Sequence, residues 1–279
     1  DAPVDGSVDG SVDVDGRRRR VVCLVAPVER FTVPLLALES DRVAYVRPNA
    51  THCPDHTDVR VWLTSPHHTL PDVPRRDLVV MTGDEQCLRV DDDRVDARTY
   101  YAVGGRALYL PLGPSLQWWT NPTTTRPPRD LLFSLVLRTR TNDVRDAVAR
   151  TLAGVPNSVT LVVNDTHVLH PQDFRSLMER STFVVCPPGT NEETFRLHET
   201  ILSGAIPVIL RGGAACPDGL APYADAPFLW VDDVDALHRR MVEVDDVDSL
   251  ARDVARWYAQ HRRRAAARWE ALLFSEGRR

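Results

Sequence analysis

Residues 181–210, STFVVCPPGTNEETFRLHETILSGAIPVIL, contain the pattern that decides the fold of this chain. An apolar run of strand length comes first, and Pro187 and Pro188 stop it, because proline cannot donate a hydrogen bond to a sheet. A helical segment at about 192–203 follows, and Gly204 predicts its left-handed end. A second apolar run completes a unit of strand, loop, helix and strand, which is how parallel sheets are built.

Short apolar runs recur along the whole chain, separated by polar or proline-rich connections. Strands buried on both faces of a parallel sheet have this composition, so the alternation with helical segments predicts a doubly wound α/β fold. We predict strands at residues 21–26, 43–46, 59–63, 77–81, 106–110, 131–136, 159–163, 182–186, 206–210 and 227–231. We predict helices at about 142–153, with Asn142 as the N-cap, and at about 172–179, 192–203 and 248–274.

Two stretches of biased composition divide the chain. Residues 1–20 combine Asp, Gly, Ser and Val with four arginines, and they lack the large apolar side chains that a core needs. Residues 120–130, TNPTTTRPPRD, have the composition of a linker. We predict a disordered stem-like tail at 1–20, α/β domains at 21–125 and 126–247, and a C-terminal helix at 248–279 that straps one domain to the other.

The overall composition narrows the class of protein. With 43% hydrophobic residues, 26% charged residues and a net charge of -5, the chain can form a core and lacks the basic domain of a general nucleic-acid binder. No apolar stretch reaches the ~18 residues of a membrane span. Because the chain does not begin with Met, we expect a missing or removed N-terminal anchor. The glycosylation triplets at Asn49 and Asn164 favour the Golgi or ER lumen, or secretion.

The five cysteines do not show the spacing of a metal site. A disulfide is possible among Cys23, Cys53 and Cys87, and the sequence does not choose the pair. At least one of the five thiols, which include Cys186 and Cys216, stays free or pairs outside the chain.

The helix at 192–203 is the best candidate for a binding site. It begins at the carboxyl end of a parallel strand, where open α/β sheets bind ligands and free N–H groups favour phosphate. Arg196, about one turn inside, could reach a diphosphate, and Glu199 on the same face could accept hydrogen bonds from a ribose. The alternative is a surface ion pair between these two residues. His198 points to another face and is interpreted as packing or surface.

The same string resembles the exostosin-like glycosyltransferases and the related ribitol-phosphate xylosyltransferase-like proteins. Their shared pattern stands here as Ser181, Phe183, Pro187, Gly189, Arg196, Glu199, Gly204, Ile206, Pro207 and Val208. Weaker matches are Gly83-Asp84-Glu85, Leu110–Gly113 and Arg129–Phe133 with Arg145. The chain departs from the family at residues 137–140, LRTR, where a Gly-Ser turn is usual; Arg138 or Arg140 could supply charge there instead.

This resemblance implies a GT-B enzyme, with two Rossmann-like domains whose parallel sheets face a cleft. It implies inverting, metal-independent transfer without a cofactor. The 126–247 domain would hold a UDP-sugar such as UDP-xylose or UDP-glucuronate, and the 21–125 domain a glycan or glycoprotein acceptor. Asp84 or Glu85 would be the catalytic base, unless one of them caps the following segment. The implied nucleotide-sugar-binding residues are Arg138, Arg140, Arg145, Pro188, Gly189, Thr190, Arg196 and Glu199.

Four other functions remain open at this point. One is a metal-dependent GT-A transferase using Asp91–Asp93, a run that we interpret as a solvated loop. Another is a fucosyltransferase-like GT-B enzyme that uses GDP-fucose. A third is a catalytically silent GT-B module that binds a glycan or a protein partner. The last is a cytoplasmic regulator that binds a nucleotide or a sugar phosphate.

Overall fold

The structure of the chain, a computed structural model, contains two separate sheets in which all strand pairs are parallel. It describes residues 19–25, 42–46, 53, 55, 57–64, 73–74, 77–81, 94–99, 107–115, 127–163, 169–212 and 219–275. The predicted domain boundary at residue 125 lies outside these ranges, between the last strand of one sheet and the first strand of the other.

The first sheet has six strands in the order β2-β1-β3-β4-β5-β6. They are β1 (Arg20–Val25), β2 (Val43–Val46), β3 (Val59–Thr64), β4 (Leu78–Met81), β5 (Ala97–Arg98) and β6 (Leu108–Tyr109). The two-residue β5 was missed from the sequence because it lacks an apolar run. Leu78, Val61 and Val22 are buried at the centre, as expected for strands covered on both faces.

The second sheet has five strands in the order β11-β10-β9-β7-β8. They are β7 (Leu131–Leu137), β8 (Ser158–Val162), β9 (Ser181–Val185), β10 (Ile206–Leu210) and β11 (Leu229–Val231). β7, the first strand of this sheet along the chain, lies between β8 and β9. The chain therefore reverses direction between β7 and β9, which is the switch point where such sheets bind ligands.

Five helices accompany these strands in the described ranges. They are α1 (Asp143–Leu152), α2 (Pro171–Arg180), α3 (Phe195–Leu202), α4 (Leu237–Val242) and α5 (Val247–Phe274). Asn142 caps α1 as predicted, its side chain accepting a hydrogen bond from the Val144 N–H at 2.9 Å. Gly204 ends α3 with a φ of 78°, also as predicted. None of these helices has an apolar stretch long enough to cross a bilayer.

The predicted start of α3 was wrong. The helix begins at Phe195 rather than at residue 192, and Thr194 precedes it without a side-chain capping bond. Glu192 and Glu193 therefore lie before the helix and not in its first turn. As a consequence, Arg196 is the second helical residue, which places its guanidinium at the helix N-terminus instead of one turn inside.

The C-terminal helix α5 packs against both sheets, as the strapping prediction required. Its first half contributes Val254 and Tyr258 to a core with the second sheet. Its last turns contribute Trp269 and Leu273 to the core of the first sheet. The Arg20 side chain also donates to the Leu273 carbonyl at 2.7 Å. One continuous helix thus ties the two α/β units together.

The structure settles the pairing of two cysteines. Cys23 at the centre of β1 forms a disulfide with Cys53. Cys186, directly after β9, is a free and buried thiol, and burial raises its pKa to about 11. Cys87 and Cys216 lie outside the described residues.

Candidate functional site

A cavity of about 330 Å³ opens at the carboxyl ends of β7 and β8, beside the switch point of the second sheet. The end of β7, the starts of α2 and α3, and one residue from the first half of the chain surround it. The lining residues are Ser115, Val136, Leu137, Arg138, Arg145, Val163, Leu169, Pro171, Gln172, Phe174, Arg175, Arg196 and Glu199.

Arg196 in the first turn of α3 is held without a full set of partners. Its Nε atom is buried and has no hydrogen-bond partner among the described residues. Its guanidinium lies 5.8 Å from the centre of the Phe174 ring. Burial lowers the pKa of Arg196, and the nearby Cys186 and Glu199 counteract this. A buried guanidinium with an unused donor gains strongly when an anion binds.

Arg145 of α1 is the second cation of the cavity. Its Nε donates to the Pro188 carbonyl at 2.7 Å and its Nη1 to the Arg138 carbonyl at 3.3 Å, so its side chain is fixed. Burial, followed by the charge of Arg196, lowers the pKa of Arg145 to about 10. The charges of the two guanidinium groups therefore repel each other. A polyanion between them would relieve that repulsion.

Gly189 leaves room for Arg145. A Cβ atom built on Gly189 would lie 3.1 Å from Nη2 of Arg145, closer than ordinary van der Waals contact. The Gly189 carbonyl accepts a hydrogen bond from the Asn142 side chain at 3.1 Å. The loop after β9 therefore supports the arginine from behind, and Arg145 rather than the loop lines the cavity.

Glu199 receives its partner from the first half of the chain. Its Oε1 accepts hydrogen bonds from the Ser115 hydroxyl at 2.5 Å and from the Ser115 N–H at 3.2 Å. Glu199 is buried, and the structure shows no ion pair between it and Arg196, so the surface-pair alternative does not hold. The carboxylate is pre-oriented at the cavity wall.

Helix α2 adds a second helix N-terminus to the cavity. Pro171 and Gln172 begin this helix at the cavity wall, and its next turn contributes Arg175, which pairs with Glu179 at 2.9 Å. With α3, two helix N-termini face the same space, and their dipoles favour a negative ligand. The sequence did not single out α2, because its lining residues form no recognisable motif.

Four of the ten residues predicted for the site line the cavity: Arg138, Arg145, Arg196 and Glu199. Pro188 and Gly189 contact Arg145, and neither they nor Thr190 line the cavity. Arg140 lies in the short 3₁₀ helix Thr139–Thr141 after β7 and does not line it either. Asp84 and Glu85, and the alternative Asp91–Asp93 run, lie outside the described residues.

A buried carboxylate network beside the site escaped the sequence analysis. Oε1 of Glu193 accepts hydrogen bonds from the Leu112 N–H at 2.8 Å and from the Tyr223 hydroxyl at 2.6 Å. The same oxygen lies 2.9 Å from Nε2 of His198. Its Oε2 accepts from the Tyr109 hydroxyl at 2.8 Å. This group joins the segment after β6 to α3. His198 is fully buried, which agrees with its interpretation as a packing residue.

The electrostatics of this network keep its phenols neutral. Burial, and then the charge of Glu193, raise the pKa of Tyr109 and Tyr223 well above the ordinary value of 10.0. The pKa of Tyr258, whose hydroxyl lies 2.9 Å from Nδ1 of His198, is raised for the same two reasons. These hydroxyl groups therefore stay protonated near neutral pH.

In the described ranges, no three His, Cys, Asp or Glu side chains come together as a metal site would require. Because Asp91–Asp93 lies outside those ranges, metal independence stays a prediction.

The part of the chain that forms this site matches the model of a known domain family. The model of the Exostosin GT47 domain matches residues 104–228, a range that contains every residue lining the cavity. No curated protein sequence matches the chain.

Among solved structures, an α1,3-fucosyltransferase with GDP is 12% identical, with a TM-score of 0.52 over 99% of this chain and 95% of that chain. A glycosyltransferase involved in avilamycin A biosynthesis is 12% identical, with a TM-score of 0.48 over 92% and 99%. The fucosyltransferase likeness confirms the predicted GT-B fold.

Proposed function

We propose that this chain, which has the GT-B fold and matches the model of the Exostosin GT47 domain over residues 104–228, transfers a sugar from a UDP-sugar to a glycan acceptor. The reaction inverts the anomeric carbon and needs no metal ion. The donor sugar is xylose, glucuronate or a similar residue, and the acceptor is a glycan or glycoprotein bound by the 21–125 domain.

One observation carries this proposal. Arg138, Arg145 and Arg196 meet at a single cavity at the switch point of the second sheet, with two helix N-termini around them. A nucleoside diphosphate is the class of ligand that matches this charge, because its phosphates can pair with guanidinium groups in forked geometry. Arg196, whose Nε has no partner, gains most from such a ligand.

The remaining lining residues fit the other parts of a nucleotide. Glu199 presents a fixed carboxylate that can accept hydrogen bonds from ribose hydroxyls. Val163, Leu169 and Phe174 form an apolar wall of a size suited to a base. The lining of the cavity thus combines guanidinium groups that suit a diphosphate with apolar side chains that suit a base.

The proposed chemistry assigns one task to each group. Asp84 or Glu85 takes the proton from an acceptor hydroxyl as its oxygen attacks the anomeric carbon. The bond from that carbon to the diphosphate breaks as the new bond forms, so the configuration inverts. Arg145, Arg196 and the N-terminus of α3 stabilise the negative charge on the departing diphosphate.

The disulfide between Cys23 and Cys53 supports a Golgi, ER-lumenal or secreted location, since disulfides persist in oxidising compartments.

The test is a thermal-shift panel of UDP, GDP, CDP and ADP, each with EDTA or with Mn²⁺. A nucleotide at about 100 times its dissociation constant adds about 2.7 kcal/mol of stability. We expect UDP to raise the melting temperature equally in EDTA and Mn²⁺, and this rise to disappear in Glu199→Ala. Arg211→Ala, an exposed arginine outside the cavity, is the control and keeps the response.

Two other outcomes would redirect the proposal. A response to GDP alone would favour a fucosyltransferase-like donor, the nucleotide named for the α1,3-fucosyltransferase that shares the fold. If all four nucleotides left the melting temperature unchanged, a catalytically silent module that binds a glycan or a partner would replace the enzyme.

A further inference from the structure

A second cavity, of about 310 Å³, lies where α5 passes the segment after β6 and the loop around residues 222–225. Its lining residues are Tyr109, Pro111, Pro222, Asp225, His261, Arg264, Ala265 and Arg268. None of these residues lines the first cavity. The buried Glu193 network, of which Tyr109 is a member, lies beside it. The second cavity is thus a separate feature of the fold.

One face of α5 gives this cavity its charge. His261, Arg264, Ala265 and Arg268 follow at helical spacing, so their side chains lie on the same face. Arg264 and Arg268 are exposed, and neither forms an ion pair with any described residue. Like charges four residues apart on a helix destabilise it. The wall therefore carries two adjacent cations whose repulsion is not relieved within the described part of the chain.

His261 adds an unused polar group at the base of this face. The residue is only 8% exposed, and its Nε2 is buried without a hydrogen-bond partner among the described residues. Its ring stacks on Trp257 with centroids 4.7 Å apart, which fixes its orientation. Burial lowers its pKa to about 4, so the imidazole is neutral at neutral pH and offers hydrogen bonding rather than charge. Buried polar atoms without partners are rare in folded proteins and point to a missing ligand or water.

The opposite wall of the second cavity carries a carboxylate and apolar surface instead of positive charge. Asp225 provides a carboxylate that has no ion-pair or hydrogen-bond partner among the described residues. Pro111 and Pro222 provide apolar surface. A simple anion would meet Asp225 unfavourably, whereas a ligand that also carries hydroxyl groups could donate hydrogen bonds to it. The small side chain of Ala265 leaves space between the two walls.

We infer that this cavity is a second binding site, for a monosaccharide-sized anion. Its acid group pairs with Arg264 and Arg268, its hydroxyl groups donate to Asp225, and one face of its ring lies against the prolines. The site binds independently of the nucleotide cavity, so the inference goes beyond the proposed transfer reaction.

Isothermal titration calorimetry with four probes tests the assignment: glucuronate, glucose 6-sulfate, glucose and inorganic sulfate. At least one charged sugar binds about tenfold more tightly than glucose and than sulfate, because charged contacts and hydroxyl contacts both contribute. Whichever charged sugar binds more tightly identifies the acid group as a carboxylate or a sulfate. The double variant Arg264→Ala/Arg268→Ala weakens this binding by about tenfold or more.

Two controls keep the result specific. Arg263→Ala removes the neighbouring exposed arginine, which does not line the cavity, and leaves binding unchanged. Arg196→Ala alters only the first cavity and also leaves it unchanged, which excludes binding of the charged sugar at the nucleotide site.

Three results would overturn the inference. Glucose could bind as tightly as the charged sugars, inorganic sulfate could bind as tightly as the charged sugars, or the double variant could bind the charged sugar as tightly as the parent. A thermal shift with UDP, measured on the same proteins, separates this question from the proposed function. If UDP fails to bind while the charged sugar binds, only the nucleotide proposal falls; the converse result removes only the second site.

Discussion

The hydroxyl group of Ser115 lies 2.5 Å from Oε1 of Glu199, and the two residues come from different halves of the chain. Ser115 belongs to the segment that follows the first sheet, whereas Glu199 lies on α3 of the second. Six residues before Glu199, Glu193 accepts from Leu112 of that same segment. The wall of the first cavity is therefore assembled from both halves, and a carboxylate that we propose to bind ribose is positioned by a residue distant in sequence.

Ser115→Ala tests this positioning. Loss of one hydrogen bond of about 1 kcal/mol leaves the Glu199 carboxylate held from this segment only by the backbone N–H of residue 115, and we expect the KM for the donor to rise about fivefold with kcat little changed. Steady-state kinetics with a UDP-sugar measures both constants. Ser275→Ala, which removes an exposed hydroxyl after α5, is the matched control. An unaltered donor KM in Ser115→Ala would mean that Glu199 does not need this partner.

Arg196→Ala removes the guanidinium that we assign to the leaving diphosphate. Because that charge develops in the transition state, kcat/KM falls by about 10²–10³-fold, mainly through kcat. Arg140→Ala makes the same change of charge in the turn after β7, outside the cavity. We expect a much smaller effect there. Equal losses in the two variants would indicate that general positive charge, and not the position of Arg196, supports the reaction.

Gly189→Ala separates binding from stability. The new methyl group would press on Nη2 of Arg145, which must move by a few tenths of an ångström. Nucleotide affinity then falls a few-fold while the melting temperature changes little. Gly154→Ala is the opposite case. A Cβ atom added to Gly154 would have no neighbour within 4 Å, but the φ of 75° at this residue is unfavourable for any side chain. It costs about 1 kcal/mol of stability without altering affinity. Calorimetry and thermal melts on both variants check the contrast.

The sequence predicted most of the second half of the fold because its signals are local. The apolar run Ile206–Leu210 became β10 without change, and Asn142 and Gly204 were correct as helix ends. The start of α3 could not be predicted in this way. Residues 190–193 carry good capping side chains, but Glu193 is drawn away to the Leu112 N–H, a partner 81 residues distant. Such a contact outweighs the local preference and is invisible in a single sequence.

In the candidate site too, the residues that belong to one local pattern could be predicted from the sequence, and those that come from separate elements could not. Arg196 and Glu199 were found because they share one helix face within a recognisable pattern. Ser115, Gln172 and Arg175 line the same cavity but come from separate elements, so only the fold brings them together. The sequence left the disulfide partner of Cys23 open for a similar reason, because the choice of Cys53 depends on tertiary geometry.

Glu193→Gln tests the buried network as a structural element. Four donor groups surround this carboxylate, and an amide would turn an N–H₂ toward some of them. We expect the free energy of unfolding to fall by about 2 kcal/mol in urea titrations. Glu243→Gln, at an exposed site on the second half, is the control and changes it by less than about 0.5 kcal/mol. A Glu193→Gln protein as stable as the parent would show that the network adds no net stability.

His261 makes stability depend on pH in a defined window. Burial is the main reason that its pKa falls from 6.5 to about 4, opposed by Glu193 and Asp225 and assisted by His198 and Arg264. Between these two values the unfolded chain binds a proton that the folded chain does not. The contribution of His261 is therefore complete above pH 6.5 and is lost as the pH falls toward 4, by about 3 kcal/mol.

His261→Phe keeps a ring against Trp257 and removes the titrating group. Urea unfolding at pH 7.0 and pH 4.5 should show a smaller loss of stability on acidification for this variant than for the parent, by about 2 kcal/mol. His238→Phe, at an exposed position of α4, keeps the acid sensitivity of the parent. If His261→Phe lost as much stability on acidification as the parent, the sensitivity would have to come from other groups, and the neutral buried imidazole would not be its source.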